Sequence, residues 1–246
     1  MNIFFHIGRY FVLLSKVFSK PEKHNIFIRL IIREMNSLGI NSIGIVVIIS
    51  VFMGAVITLQ TAYNLENPLI PAYLIGLTAR DSMILEFSST IVGLILAGKV
   101  GSSIASEIGT MRITEQIDAL EIMGVNSANY LILPKIVAAV LINPFLTIIS
   151  IFVGITGGYL ASVFTGAVAP ASYIQGLHYA FIPFYITYTL VKTVFFAFII
   201  TSVPAYHGYY SSGGALEVGR SSTMAVVYSS VLILLFNVLL TQLLLA

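Results

Sequence analysis

The chain has 246 residues, of which 58% are hydrophobic, 9% are charged and none is cysteine, and its net charge is +2. Soluble globular domains carry about 25% charged residues, so this composition excludes an ordinary soluble domain, and the lack of cysteine excludes disulfides and thiol chemistry. The small net charge does not favour nucleic acid as a partner, and four scattered histidines predict no metal site. Long apolar runs without alternation favour spanning helices over a barrel, so we expect an all-α integral membrane protein.

Residues 1–38 are expected to form amphipathic helices in the membrane interface. Within residues 1–20, apolar side chains recur at helical spacing, whereas Arg9 and Lys16 fall on the opposite side. Aromatic residues on one face and cations on the other are typical of an interfacial helix. The alternative is a first spanning helix, which the two cations disfavour. Residues 22–38 form a second amphipathic stretch.

Residues 39–246 are expected to form one membrane domain with five spans. A helix needs about 20 apolar residues to cross the hydrocarbon core, and five runs reach this length. They cover residues 43–62, 83–105, 133–160, 181–203 and 224–245. With a cytoplasmic N-terminus, ten basic residues face the cytoplasm and only Arg80 lies in an outer loop. The positive-inside rule therefore places the N-terminus inside and the C-terminus outside.

Residues 93–103, GLILAGKVGSS, share most of a phosphate-binding loop pattern through Gly93, Gly98 and Lys99. Val100 follows the lysine where a magnesium-binding hydroxyl is required, and the stretch lies inside an apolar run rather than after a strand. We therefore expect no nucleotide at this site. The glycines are expected to allow close helix packing in lipid, and the alternative is that this helix lines a cavity.

The connection between the second and third spans is predicted to contain a short helix at about residues 108–124. Thr110 can cap its start, and Gly124 can end it. Apolar residues share one face of this helix and charged residues cover the others. On the cytoplasmic side, such a helix suits the docking of a partner, and the alternative is a solvated connector.

Three stretches in order carry a resemblance to a known family. They are GAVITLQ at 54–60, AGKVGSSIASEIGTMRITEQIDALEIMGV at 97–125, and GYYSSGGALEVGRSSTMAVV at 208–227. Together they resemble the MlaE family of ABC-transporter permeases, over roughly residues 40–245.

This resemblance implies a homodimer of permease subunits in the inner membrane of a bacterium, each with an N-terminal interfacial helix, five spans and a cytoplasmic coupling helix. It also implies a cytoplasmic ABC ATPase and, on the outer face, a lipid-binding MCE-domain protein. The cargo would be phospholipid or a related lipid, moved between the inner membrane and the outer envelope. The chain would then be a transport subunit rather than an enzyme, with ATP and magnesium bound only by the ATPase chain.

By their positions in the family motifs, nine residues are implied to face the ATPase. They are Glu107, Thr110, Met111, Arg112, Glu115, Gln116, Asp118, Gly219 and Arg220. The sequence departs from the family pattern at the start of span two, where LEFSST replaces Arg-Glu-Leu-Gly-Pro and only Glu86 survives. Lys99 and Lys135 stand where arginine is usual, which keeps the charge but loses the bidentate fork.

The lipid pathway is expected to include Gln60, Leu94, Lys99 and Lys192, beside a cavity lined by the first two spans. Lys192 falls near the middle of the fourth predicted span, where a charge costs about 3 kcal/mol, so it should face the protein interior or water. It is expected either to attract a lipid phosphate or to pair with Gln60 or Glu86 from another helix.

Two other functions fit a five-span chain. An ion-coupled secondary transporter usually needs carboxylates within the membrane and often inverted repeats. Glu86 is the one acid clearly inside a predicted span, and the sequence shows no repeat. A non-transporting membrane scaffold would need neither feature.

Overall fold

The computed structural model describes residues 3–19, 24–65 and 70–245, and these residues form helices joined by short connections, with no strand among them. In chain order the helices are α1 (Ile3–Val17), α2 (His24–Glu34), α3 (Asn41–Asn64), α4 (Tyr73–Ser82), α5 (Val92–Leu96), α6 (Ser102–Ile113), α7 (Gln116–Ile122), α8 (Ser127–Thr165), α9 (Pro170–His178), α10 (Phe184–Tyr209) and α11 (Ala215–Leu245). Within the described ranges, three π-helical segments join neighbouring helices without a break: Met35–Ile40, Met83–Ile91 and Ala97–Gly101.

Among the residues that the structure describes, five continuous helices are long and apolar enough to cross a membrane, which agrees with the predicted number of spans. They are Asn25–Asn64, Tyr73–Ile113, Ser127–Thr165, Phe184–Tyr209 and Ala215–Leu245. The shortest has 26 residues. At 1.5 Å per residue it extends about 39 Å, which exceeds the ~30 Å hydrocarbon core.

Four of these helices begin earlier than predicted, and the first two show this most clearly. The stretch at 22–38, described from residue 24, is not separate from the first span, because the π-helical turns at Met35–Ile40 continue α2 into α3. The second long helix begins at Tyr73 rather than at residue 83. The turns of a π-helix keep the backbone hydrogen-bonded, so a polar stretch between two apolar ones need not become a loop.

The N-terminal helix α1 runs over Ile3–Val17. Phe4 and Phe11 are exposed, whereas Leu13 and Val17 are buried. The helix therefore has one side packed on the protein and an apolar side left uncovered. Its place in a membrane interface stays a prediction.

The chain divides into two compact units. The central unit comprises Ser42–Val92 and Asn143–Thr193, and the terminal unit comprises Met1–Asn41, Gly93–Ile142 and Val194–Ala246. Within the central unit, α3 and α8 approach so closely that a Cβ on Gly54 would lie 1.8 Å from the Gly154 carbonyl oxygen. Within the terminal unit, α6 packs on α11, and Ser222 Oγ donates to the Ser102 carbonyl at 3.1 Å. Small residues thus permit the close packing that membrane helices require.

Candidate functional site

The connection after the second span is a helix, a sharp turn and a short helix, rather than the single helix predicted over 108–124. Helix α6 continues to Ile113, and Glu115 then adopts a left-handed backbone with φ +60° before α7 begins at Gln116. Thr110 therefore lies inside α6 and cannot cap a helix start. Its carbonyl accepts the N–H of Thr114 at 3.0 Å, so the helix of span two simply runs past the expected boundary.

The predicted end of the short helix at Gly124 is confirmed. Gly124 has φ +79°, its N–H donates to the Glu121 carbonyl, and the N–H of Val125 donates to the Leu120 carbonyl, both at 3.0 Å. This pair of bonds is a Schellman motif, which needs a left-handed residue and therefore favours glycine. The turn fixes where the chain leaves α7 and enters α8.

Most of the residues predicted to face an ATPase lie on an accessible surface. Thr110, Glu115, Gln116, Gly219 and Arg220 are exposed, and Met111, Arg112 and Asp118 are half-buried. Arg112 Nη1 lies 2.6 Å from Asp118 Oδ1, so this ion pair bridges α6 and α7 across the turn.

The two predicted docking segments come together in the terminal unit. A Cβ on Gly109 would lie 3.0 Å from Val218 Cγ1 and 3.1 Å from the Ser211 hydroxyl. Thr110 and Gly219, the next residues along the two chain segments, therefore flank one contact between α6 and α11. At the same end of α11, Arg220 pairs with Glu217 at 2.8 Å.

Glu107 takes part in a three-residue charge cluster that sequence reasoning missed. Lys135 Nζ lies 2.7 Å from Glu107 Oε2 and 2.9 Å from Glu34 Oε1. The side chain of Lys135 is 4% exposed, whereas that of Glu107 is 52% exposed. One buried ammonium thus joins α2, α6 and α8 and leaves a carboxylate of the cluster open to a partner. Lys135 and Glu34 lie 101 residues apart in the chain, so no local sequence pattern indicates this contact.

A second polar cluster anchors the end of α7. Glu121 accepts hydrogen bonds from Ser127 Oγ and Tyr209 Oη, each at 2.9 Å. Both bonds stabilise the ionised carboxylate and lower the pKa of Glu121 below its ordinary value, and the bond from Ser127 contributes more than the bond from Tyr209. The cluster ties α7 to the start of α8 and the end of α10.

Lys192 forms an ion pair in the central unit. Its partner is Glu86, one of the two residues with which it was expected to pair. Its Nζ lies 3.0 Å from Glu86 Oε1 and also donates to the Leu85 carbonyl at 3.2 Å and the Tyr188 hydroxyl at 3.0 Å. The lysine side chain is 0% exposed. Gln60, the other predicted partner, is exposed and is not among these contacts.

The other residues of the predicted lipid pathway have different surroundings. Leu94 is half-buried, and Lys99 is exposed with its ammonium group on the Asn41 carbonyl. Both belong to the terminal unit, whereas Gln60 and Lys192 belong to the central unit. Among the described residues, no group of three His, Asp or Glu side chains is arranged to hold a metal ion.

The comparison that decides the family is a match of the Permease MlaE family model to residues 31–243. This chain belongs to the MlaE permease family. It is 36% identical to a probable ABC transporter permease protein of Rickettsia prowazekii (strain Madrid E) over 238 residues, which cover 95% of this chain and 88% of that protein.

This MlaE-family chain also matches relatives with more specific names. It is 30% identical to the intermembrane phospholipid transport system permease protein MlaE of Haemophilus influenzae over 243 residues, covering 98% of this chain and 92% of the relative. It is 30% identical over 220 residues to the protein TRIGALACTOSYLDIACYLGLYCEROL 1, chloroplastic, of Arabidopsis thaliana, covering 89% of this chain and 63% of the relative.

The match to the MlaE family covers all of the clusters described above. Glu34, Glu86, Glu107, Lys135 and Lys192 lie within the matched residues 31–243. Helix α1 precedes the matched residues.

Proposed function

We propose that this MlaE-family chain is the membrane-spanning permease subunit of an ABC transporter that moves phospholipid or a related lipid between the inner membrane and the outer envelope. The observation that carries the proposal is the family match over residues 31–243, joined to relatives named as ABC transporter permeases and, in H. influenzae, as a phospholipid transport permease. Five apolar helices and few charges agree with a cargo that has acyl chains.

A separate cytoplasmic ATPase, which binds ATP and magnesium, supplies the energy through the surface formed by the end of α6, α7 and the start of α11. Support comes from the exposure of Glu107, Glu115 and Arg220 and from the ion pairs that hold the turn in shape. The surface carries more acids than bases, so the facing surface of the ATPase should present cations.

The lipid passes Gln60, Leu94 and Lys99, whose exposed or half-buried side chains can reach it. Lys192 can meet a lipid phosphate only if Glu86 releases it, because the ammonium is fully buried in its ion pair. A Lys192→Met variant that assembles and transports normally would remove Lys192 from the pathway and leave it a structural role.

The remaining proposed partners are a second copy of this chain and an MCE-domain lipid-binding protein on the outer face. The positive-inside rule supports a cytoplasmic N-terminus and a periplasmic C-terminus in the inner membrane of a bacterium. With this orientation, the turn at Glu115 faces the ATPase.

The test is reconstitution of the complex, purified through a tag on this chain, in donor liposomes with labelled phospholipid and acceptor liposomes without it. We expect lipid transfer that requires ATP and a co-purified ATPase. Transfer driven by an ion gradient without an ATPase would favour a secondary transporter, and no transfer with ATP would favour a scaffold.

A matched pair of variants tests the docking surface. Glu115 and Gln175 are both exposed, but Gln175 lies on α9, which is not one of the proposed docking segments. We expect Glu115→Lys to lower ATPase retention and Gln175→Lys to leave it unchanged. Equal retention of the ATPase by both variants would contradict docking at this turn.

A further inference from the structure

Two asparagines hold the C-terminal end of α1 against the segment that follows α7. Asn129 Nδ2 donates to the Val17 carbonyl at 2.7 Å and to the Ser19 carbonyl at 2.6 Å. Asn126 Nδ2 donates to the Lys16 carbonyl at 3.1 Å and to Ser19 Oγ at 2.9 Å. Because carbonyl oxygens face the Asn129 amide, its nitrogen must be the atom that points at them.

These bonds satisfy carbonyls that a helix end leaves without intrahelical partners. The last turn of an α-helix carries unpaired carbonyl oxygens, which usually bond to water or to a local cap. Here the caps come from residues more than 100 positions away in the chain. Asn129 is buried, so its two bonds are shielded from competition with water.

The same asparagines also form the start of α8. Asn126 Oδ1 accepts the N–H of Asn129 at 3.2 Å, which is the bond of an N-cap residue. Its amide oxygen thus caps α8 while its amide nitrogen holds α1. Gly124, which ends α7, lies only two residues earlier, so α7 and α1 are attached to one short, hydrogen-bonded segment.

Contacts along the rest of α1 run to α10 and to Tyr210, the residue that follows it. His6 Nδ1 lies 2.8 Å from Tyr206 Oη, Tyr10 Oη lies 2.8 Å from Ser202 Oγ, and the Arg9 guanidinium lies 3.6 Å from the centre of the Tyr210 ring. Tyr209, between these aromatic residues, bonds to Glu121 of α7 at 2.9 Å. Helix α1 is therefore fixed at both ends to elements that also hold α7.

We propose that α1 is part of the coupling apparatus, in which Asn126 and Asn129 act as positioning residues that pass a displacement of α7 to α1. The inference rests on the proposed function, because α7 moves only if an ATPase docks on it. The opposite side of α1 exposes Phe4, Phe11 and Val12, which suit contact with acyl chains at the membrane surface. A movement of α7 thereby reaches the lipid around α1 as well as the spanning helices.

The test uses the complete complex with its ATPase in liposomes and measures lipid moved per ATP hydrolysed. Asn126→Asp keeps an acceptor that caps α8 but removes the donor to α1, and adding Asn129→Asp sets a second carboxylate against carbonyl oxygens. Asn64→Asp, at an exposed residue of α3, is the matched control. We expect the double variant to lower the ratio by about fivefold or more, the lower range of coupling between two sites, with ATP hydrolysis per complex nearly unchanged.

A purely structural role predicts a different result. Fewer assembled complexes would then lower transport and ATP hydrolysis together, and an unchanged ratio in both variants would overturn the inference. Failure of even Asn126→Asp to assemble would assign these residues to folding alone and would also overturn it. If the unmodified complex moves no lipid with ATP, the proposed function itself fails and the inference falls with it.

Discussion

The two members of the Lys192–Glu86 ion pair differ in exposure, and this difference determines what each contributes to stability. Lys192 is 0% exposed and Glu86 is 38% exposed at the side chain. Removing the carboxylate leaves a buried ammonium without a counter-charge, whereas removing the ammonium leaves a carboxylate that water can reach. Breaking a buried pair costs about 3–5 kcal/mol, but replacing both members by apolar side chains is often nearly neutral.

We therefore expect Glu86→Leu to lower the free energy of unfolding by about 3 kcal/mol, and Lys192→Met to lower it by less. The double variant should be more stable than Glu86→Leu alone. Denaturant unfolding in detergent micelles measures all three. Arg29→Met, at an exposed arginine of α2, is the control, and equal losses for the two single variants would contradict the assignment.

Glu121 predicts a pH dependence of stability. It lies outside the five long apolar helices, and the hydrogen bonds from Ser127 and Tyr209 lower the pKa of its carboxyl group. The stabilisation is complete above the unfolded-state pKa of about 4.3 and is lost as the pH falls through the lower folded-state pKa. Tyr209→Phe removes one of these bonds, so less stability remains to be lost in acid.

The measurement is the thermal unfolding midpoint between about pH 6 and pH 3, a range that contains the titration of a carboxyl group. We expect the unmodified chain to lose more stability on acidification than Tyr209→Phe does. Tyr210→Phe keeps the ring that contacts Arg9 and should follow the unmodified chain. Parallel curves for all three chains would show that the Glu121 cluster does not contribute.

At the scale of elements, the packing of α3 on α8 requires glycine at residue 54 but not at residue 44. A Cβ on Gly54 would meet the Gly154 backbone at 1.8 Å, whereas a Cβ on Gly44, earlier in α3, would meet nothing within 4 Å. The backbone of α8 cannot yield as a flexible side chain can. Alanine at residue 54 must therefore push the two helices apart.

We expect Gly54→Ala to destabilise the protein by about 1–3 kcal/mol, the usual cost of overpacking. Gly44→Ala should be neutral or stabilising by about 0.5 kcal/mol, because alanine favours the helix over glycine. Thermal unfolding of the two variants side by side separates packing from helix propensity. A Gly54→Ala variant as stable as Gly44→Ala would exclude the close approach of α3 and α8.

At the scale of the whole molecule, the proposed orientation can be tested because the chain contains no cysteine. Ala119 of α7 and Gln175 of α9 are both exposed. With a cytoplasmic N-terminus, Gln175→Cys should react with an impermeant maleimide in intact spheroplasts, and Ala119→Cys only after the membrane is opened. The reverse pattern would place α7 outside and exclude docking of a cytoplasmic ATPase on it.

Some features of the molecule could be predicted because they depend on composition or on one short stretch. The apolar runs predicted five spans, since burying the backbone in lipid requires long helices whatever their neighbours are. Gly124 predicted the end of α7, because a left-handed turn favours glycine locally. The single helix over 108–124 was wrong because nothing local marks Glu115, which adopts φ +60° without being glycine.

The order of the amino acids is enough to predict the class of molecule: a helical chain with five apolar helices and the motifs of the MlaE family. The tertiary structure alone decided which side chains meet. It selected Glu86 over Gln60 as the partner of Lys192, and it joined Lys135 to Glu34 and Asn129 to the end of α1. The physical reason is that hydrophobicity acts through the summed area of many residues, whereas an ion pair or a hydrogen bond requires atoms within about 3 Å, a distance that only the packed helices set.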